Sequence, residues 1–321
     1  MSFAKNLEIA SFSLFFLLSS TLCLLPSVFY LLAMEYLLHI AIIFALNAVF
    51  AVSLNYIAGF TGIISFGHSA FIGVGAYTVA ILTKFYGVPF FAAFPAAFLL
   101  AGAIGYLVAF PITKLSGDSL MLISLGFMLI MYNIFLNWTE VTHGALGIKA
   151  IPTPEIWGWT LGTKFEFLLF AVLLLIFTLY IFSRITRSPY GRVLTGIREN
   201  EVLLQGVGYA TAKYKRSVFA LGGAFAAGAG GIYASYLSFI EPGLFASLGS
   251  VTVLTMVILG GLANNWGAIL GAALLTITPE ALRFLGLPDS ILAEMQQILY
   301  GLMLFFLMLL RPRGLLGRYQ L

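Results

Sequence analysis

Apolar runs of about 20 residues follow one another almost without interruption along this chain, and that is the length a helix needs to cross the hydrocarbon core of a bilayer. Ten such runs are predicted as spans, at about 9 to 33, 36 to 57, 62 to 83, 90 to 111, 119 to 138, 165 to 183, 216 to 238, 249 to 261, 266 to 282 and 289 to 310. Only helices and closed barrels satisfy their own backbone hydrogen bonds in lipid, and these runs lack the alternation of barrel strands. With 61% hydrophobic and 9% charged residues, the chain is excluded from the ordinary soluble domains. The expected fold is an all-α polytopic membrane protein with about ten transmembrane or partly crossing helices, forming one transmembrane domain over residues 1–321.

The first run is read as a retained helix rather than a signal peptide, because it is long and no small-residue cleavage site follows it. It holds Cys23, the single cysteine, so no internal disulfide is possible. The eighth and ninth runs are short and flank GGLANNWG, Gly260 to Gly267, which leaves open two partial crossings or one broken helix.

Orientation follows from the basic residues. With both termini cytoplasmic, Lys5, Lys114, Arg184, Arg187, Arg192, Arg198, Lys213, Lys215, Arg216, Arg311, Arg313 and Arg318 fall inside, and Lys84, Lys149, Lys164 and Arg283 outside. That asymmetry is a strong positive-inside signal. The same topology makes residues 137–164 an outer loop shaped by Gly, Pro, Thr and Trp. Residues 184–215 become a basic cytoplasmic loop. Within it, Tyr190 to Val207 is predicted as a short amphipathic helix with Val193, Ile197, Leu203 and Leu204 on its apolar flank, while Arg192, Arg198, Glu199 and Glu201 stay wet.

Residues 59–82, GFTGIISFGHSAFIGVGAYTVAIL, carry five glycines and a histidine. Each glycine inside a helix costs roughly 1 kcal/mol relative to alanine, so a lipid-facing anchor has no reason to hold them. Ser65, Ser69, Gly73 and Tyr77 recur every four residues and are expected on one face of a helix, with His68 beside them. Small residues at that spacing let helices approach closely, and Gly223, Ala227, Gly231 and Ser235 repeat the pattern. A bulky residue at Gly73 is expected to do harm, and one at the opposite-facing Phe71 to be tolerated. His68 is either an imidazole satisfied by a neighbouring hydroxyl or a residue lining a pathway. Asn47, Asn55, Asn133, Asn137, Asn264 and Asn265 either line a path for a polar solute or join helices. Gly62 to Tyr77 also overlays Gly260 to Leu275, matching Gly62 with Gly260, Ala70 with Ala268 and Gly73 with Gly271, a faint internal repeat of the kind found in transporters.

No catalytic constellation and no metal-ligand cluster stands out, so no enzyme activity and no metal is expected. The dipeptide Gly-Lys never occurs, so the chain has no P-loop of its own. Intramembrane acids for ion coupling are nearly absent. Energy is therefore expected from a partner acting on the basic loop.

Five blocks carry a resemblance: NYIAGFTGIISFGHSAFIGVGAYTVAIL, THGALGIKAIPTP, SPYGRVLTGIRENEVLLQGVGYATAKYK, GGAFAAGAGGIYASYLSFIEPGLF and LTMVILGGLANNWGAILGAALLTITPEALR. In this order, from about residue 45 to 310, they resemble the permease subunit of branched-chain amino acid ABC transporters of the LivM type. The resemblance implies an ABC importer permease bundle in a bacterial inner membrane. It also implies a second, LivH-like permease, two cytoplasmic ATPase subunits that bind the ATP, and a periplasmic solute-binding protein, with no cofactor in this chain and no nucleic acid. The family's coupling segment has a Glu, Ala, Ala, Gly pattern, which falls here on Glu201, Leu203, Leu204 and Gly208, with leucines for the two small residues. Branched-chain amino acids are the implied substrate. The same machine for urea, short amides or other amino acids remains an alternative, as does an ion-coupled secondary transporter. The candidates carried forward for pathway or helix packing are Asn55, Ser65, His68, Ser69, Gly73, Tyr77, Gly223 and Gly231. Those for ATPase coupling are Arg192, Arg198, Glu199, Glu201 and Gly208.

Overall fold

The computed structural model describes residues 33–311 except 114, 116–117, 157–158 and 284–287, together with 313–317. The expected first span, with Lys5 and Cys23, lies outside the described residues, as do Lys114 and Arg318. The chain divides into two compact units, Met1–Ala41 and Ile42–Leu321. Of the first, only the opening turns of α1 (Ala33–Thr61) are described. Everything below concerns the second.

The remaining helices are α2 (His68–Lys84), α3 (Phe90–Ile112), α4 (Asp118–Asn137), the single turn α5 (Thr139–Thr142), α6 (Lys164–Thr186), α7 (Pro189–Gly206), α8 (Thr211–Leu237), α9 (Ser247–Gly260), α10 (Asn265–Arg283) and α11 (Asp289–Leu310). Among the described residues six helices are long and apolar enough to cross a membrane: α1, α3, α4, α6, α8 and the stretch Pro242–Gly260 that contains α9. This is a multi-pass, all-helical membrane protein. Its strands are short: β1 (Ile148–Lys149) pairs antiparallel with β4 (Phe239–Ile240), and β2 (Glu155–Ile156) with β3 (Trp159–Thr160).

Local chemistry sets where helices begin. Thr163 and Glu166 form a capping box at the start of α6, each side chain accepting from the other's backbone N–H at 3.4 and 3.0 Å. Ser188 caps α7 ahead of Pro189, whose missing N–H costs nothing in a first turn. Peripheral helices bury a single stripe. On α3 it is Ala93, Ala97, Ala101, Gly105 and Ala109, every fourth residue, while Leu99, Leu100 and Leu107 face outward.

The interior is α2 and α8. A Cβ on Gly75 would stand 2.0 Å from the Ala227 carbonyl oxygen, and one on Gly230 2.1 Å from that of Ile72, so the two backbones touch. Gly223 meets Phe71 and Gly231 meets Val79, so α2 and α8 run parallel. Without a hydrophobic drive between helices in lipid, this backbone contact is the main source of packing energy. Phe71 is only 1% exposed, which overturns the expectation that it faces away: α2 is buried on all sides and has no outer face.

The expected continuous helix over 62 to 83 is also corrected. Residues 62–67 are not helical, and α2 starts at His68. Consequently Ser65 is not on the helical face of Ser69, Gly73 and Tyr77. Gly62 turns the chain at φ +74°. Serine hydroxyls then take over the role of helical carbonyls, Ser124 accepting from the Phe66 N–H at 2.9 Å and Ser65 from the Gly67 N–H at 3.2 Å.

α9 and α10 form an antiparallel hairpin, since Gly267 packs on Gly260 and Gly271 on Met256. The GGLANNWG run is therefore a tight turn over 261–264, with Gly261 at φ 110° and Ala263 at φ 60°. Both overlaid stretches thus contain a break followed by a helix, of six residues at 62–67 and four at 261–264.

One end of this unit gathers Lys84, whose ammonium donates to the Lys149 carbonyl, and the β1–β4 pair. The other gathers α7, the end of α1, the α9–α10 turn and residues 313–317. α6 and α8 lead to and from α7, so residues 137–164 and 184–215 lie at opposite ends.

Candidate functional site

The buried polar groups concentrate where α2 begins. Ser53 is on α1, eight residues or about 12 Å of helix before Thr61. Its hydroxyl lies 2.8 Å from His68 Nε2 and also donates to the Phe50 carbonyl at 2.9 Å. A serine has one proton, so with it spent on Phe50, Nε2–H is the donor to Ser53. The 62–67 stretch therefore climbs back beside α1, and α2 starts well inside the protein rather than at its end.

Ser69, in the first turn of α2, is tied to α9 twice. Its N–H donates to Ser250 Oγ at 3.0 Å, and the two hydroxyls are 2.6 Å apart. Beside it lies a cavity of about 170 Å³, with Phe50, Ile72, Phe245, Val253 and Met256 as apolar wall and Asn47, Ser69, Tyr233 and Thr252 as polar positions. That is smaller than the roughly 300 Å³ of a usual ligand pocket, so it has room only for a small solute or one part of it. The amino end of a helix carries partial positive charge, and here that end is next to the cavity. An apolar wall facing a polar helix start suits a solute with an aliphatic portion and an anionic or hydrogen-bonding head.

The structure brings Ser65, His68 and Ser69 together here. Gly73, one turn on, packs against Phe135 and Phe245, and Tyr77 stacks on Phe135 at 4.5 Å between centroids. Gly223 and Gly231 serve the α2–α8 contact. Asn55 is elsewhere: its Oδ1 accepts from the Ala263 N–H at 3.0 Å and its amide donates to Asn265 at 3.3 Å, clamping α1 to the α9–α10 turn. Asn47 donates to Thr276 at 3.0 Å. Ser53, Ser124 and Ser250 escaped the sequence reading. A serine in an apolar run carries no periodic signal, and its partner is on another helix.

The basic segment is likewise reshaped. α7 is broken at Asn200 (φ −159°, ψ 97°), whose Oδ1 accepts from the Leu203 N–H at 3.0 Å and caps the second half. Gly191, Leu194 and Ile197 form the buried flank of the first half. Leu203, expected on that flank, is 66% exposed, and Val202 and Val207 are exposed beside it. Arg192 and Glu199 are exposed as expected. Arg198 and Glu201 are not wet. Arg198 is buried against α1 and donates to the Gly59 carbonyl at 2.8 Å. Glu201 binds the buried Lys215 at 2.5 Å and accepts from Thr211 at 2.9 Å. For Leu203 and Glu201 the kink is the physical reason, because it turns the second half out of register with the first, whereas Arg198 precedes the kink and is covered by the end of α1. Tyr190 holds the start of α7 to Ser217 on α8, and burial pushes its phenol above the ordinary tyrosine range. Gly208 leads into α8 at φ +95° with open space around it.

The sequence pattern of the family described as "Branched-chain amino acid transport system / permease component" matches residues 36–308. The chain is 33% identical over 300 residues to the high-affinity branched-chain amino acid transport system permease protein LivM of Escherichia coli (strain K12), covering 86% of this chain and 69% of that one. It is 33% identical over 291 residues to LivM of Salmonella typhimurium, covering 84% and 67%. It is 28% identical over 323 residues to the probable LivM of Methanocaldococcus jannaschii, covering 85% and 91%. No solved structure matches. Among the described residues six helices are long and apolar enough to cross a membrane, and with the match over residues 36–308 and the identity to LivM the chain belongs to the branched-chain amino acid transport permease family.

Proposed function

We propose that this chain is the transmembrane permease subunit of an ATP-driven importer for branched-chain, hydrophobic amino acids, giving alternating access without chemistry of its own. The observation that carries the reading is the start of α2 inside the protein, beside a cavity with an aliphatic wall and Ser69 at its edge. A broken helix near mid-membrane is how many transporters build a solute site, since irregular backbone is tolerated in lipid only where protein or a cavity surrounds it. The aliphatic side chain of leucine, isoleucine or valine fits the Phe50, Ile72 and Val253 wall, and its carboxylate the helix start.

Residues 1–321 act as one permease domain of about ten crossing or partly crossing helices in a bacterial inner membrane, with both termini cytoplasmic. Residues 137–164 face the periplasm, where a solute-binding protein delivers the amino acid. Residues 184–215 face two cytoplasmic ATPase subunits, and a second, LivH-like permease completes the pathway. The exposed Val202, Leu203 and Val207 on the outer half of α7 are the surface offered to a groove on an ATPase. Glu201 braces that half from behind through Lys215.

The test is uptake of labelled leucine by proteoliposomes holding the complete complex, with ATP inside. Val253→Trp, which fills the cavity, is expected to reduce uptake at least tenfold, roughly, with the complex intact. Unchanged leucine uptake would remove the cavity from the pathway. ATP-driven uptake of urea or a short amide but not leucine would reassign the substrate, and ion-driven uptake by this chain alone would overturn the mechanism.

A further inference from the structure

Arg198 has the setting of a connector rather than of a surface charge. It sits near the end of the first half of α7, yet its side chain is only 10% exposed. Its Nη1 donates to the carbonyl of Gly59, one of the last carbonyls of α1, which have no partner within their own helix. A cation at the carboxyl end of a helix also meets the favourable end of its dipole. The same side chain fills the space beside Gly62: a Cβ there would stand 2.9 Å from Arg198 Cγ. Gly62 is where the chain leaves α1 and turns towards the start of α2.

On its far side Gly59 is pressed against the α9–α10 turn, since a Cβ would stand 2.2 Å from Asn55 Oδ1 and 2.4 Å from the Ala263 nitrogen. Asn55 ties the same two elements by its hydrogen bonds to Ala263 and Asn265. The turn continues the chain of contacts to the C-terminal stretch, where the Leu316 N–H donates to the Gly260 carbonyl at 2.9 Å. The other polar anchors of α7, Glu201 to Lys215 and Tyr190 to Ser217, hold it to α8 instead. Arg198 thus joins α7 directly to the 62–67 break and, only through Gly59 and Asn55, to the 261–264 turn.

We propose that Arg198 is the positioning residue that carries displacement of α7 to the α1–α2 break, and through it to the start of α2 at the cavity. This rests on the reading of α7 as the surface on which the ATPases act. A guanidinium suits the role because it is permanently charged and its rigid fork holds one geometry against a carbonyl. When the outer half of α7 moves, the Gly59 carbonyl and the Gly62 turn follow, and α2 is displaced against Ser53 and Ser250. Coupling of this kind travels through contiguous contacts, and it is established by an energetic test rather than by proximity.

That test uses the complete complex in proteoliposomes with its solute-binding protein, reading leucine uptake and ATP hydrolysis in the same sample for wild type, Arg198→Gln and Arg198→Lys. Arg198→Gln is expected to assemble and to lower uptake per ATP hydrolysed by at least about tenfold, the worth of one charge-assisted hydrogen bond. Arg198→Lys, which keeps the charge and one donor, is expected to recover part of it. Uptake per ATP unchanged in an intact Arg198→Gln complex would overturn the proposal. Loss of the complex in both variants would overturn it too, by assigning Arg198 to folding alone. If no ATPase accompanies the wild-type chain, the reading of α7 itself has failed, which is a different result from either.

Discussion

Ser69 spends its backbone N–H on Ser250 and shares its hydroxyl between Ser250 and the Ala246 carbonyl, so one side chain of α9 completes the first turn of α2. Ser250→Ala leaves the buried Ser69 N–H short of a partner while the Ser69 hydroxyl keeps the Ala246 carbonyl, which costs about 1–3 kcal/mol. The expected result is a lower melting temperature of the purified complex together with weaker leucine uptake. An unchanged melting temperature would mean that another acceptor reaches Ser69. Two glycines make a sharper pair. Gly75→Ala places a methyl 2.0 Å from the Ala227 carbonyl oxygen and must drive α2 from α8, at a cost of about 1–3 kcal/mol. Gly126→Ala meets nothing within 4 Å and adds up to about 1 kcal/mol of helix preference to α4. Melting curves of the two variants should therefore move in opposite directions. Glycine spacing alone ranks these positions equally, because the difference lies in what the neighbouring helix presents.

At the scale of the element, α7 is held to α8 by an ion pair that resists loss of either partner unequally. Lys215 has a side chain 3% exposed, and that of Glu201 is 24% exposed. Glu201→Gln leaves the ammonium buried without its counter-charge, at a cost of about 3 kcal/mol, whereas Lys215→Met removes the buried charge itself and costs less. The double variant should be more stable than Glu201→Gln alone when thermal unfolding is followed in detergent. Strict additivity of the two single losses would show that the pair does not interact. Spans such as 90 to 111 and 165 to 183 were legible in the sequence because length and apolar content are all that a crossing helix demands. The break at 62–67 was not. Hydropathy counts the Ile, Phe and Gly of that stretch as well as those of a helix, and of the two hydroxyls that take up its N–H groups, Ser65 and Ser124, the second is on α4, outside any local window. The amphipathic character of residues 190–207 was legible, but the kink at Asn200 was not, so beyond it Glu201 and Leu203 were assigned to the wrong side, while Leu204 does pack against the core. Of the site, Ser65 and Ser69 could be named from their four-residue spacing with Gly73 and Tyr77 and His68 from its rarity in an apolar run, while Ser53, Ser124 and Ser250 share no such spacing.

For the molecule as a whole, the contacts divide the described loops into two sets without reference to charge. Lys84, Lys149, His143 and the β1–β4 pair share one end, through the Lys84 bond to the Lys149 carbonyl and the stacking of Phe85 on His143. Arg198, Gly59, Asn55, Ala263 and Leu316 share the other. The second set lies beside the basic cluster of Arg184, Arg187, Arg192, Lys213 and Arg216, so the positive-inside rule predicts it as the cytoplasmic end. Single cysteines introduced into a Cys23→Ser background test this directly, because the chain has no other thiol. Leu146 and Val202, each 76% exposed, lie at opposite ends. Leu146→Cys should react with a membrane-impermeant maleimide added outside right-side-out vesicles, and Val202→Cys only after the vesicles are opened. Assembly adds a second contrast, since ATPase subunits seated on α7 would shield position 202 even in opened vesicles and leave position 146 reactive. Labelling in the reverse order would invert the topology, and with it the direction in which the cavity at Ser69 is loaded.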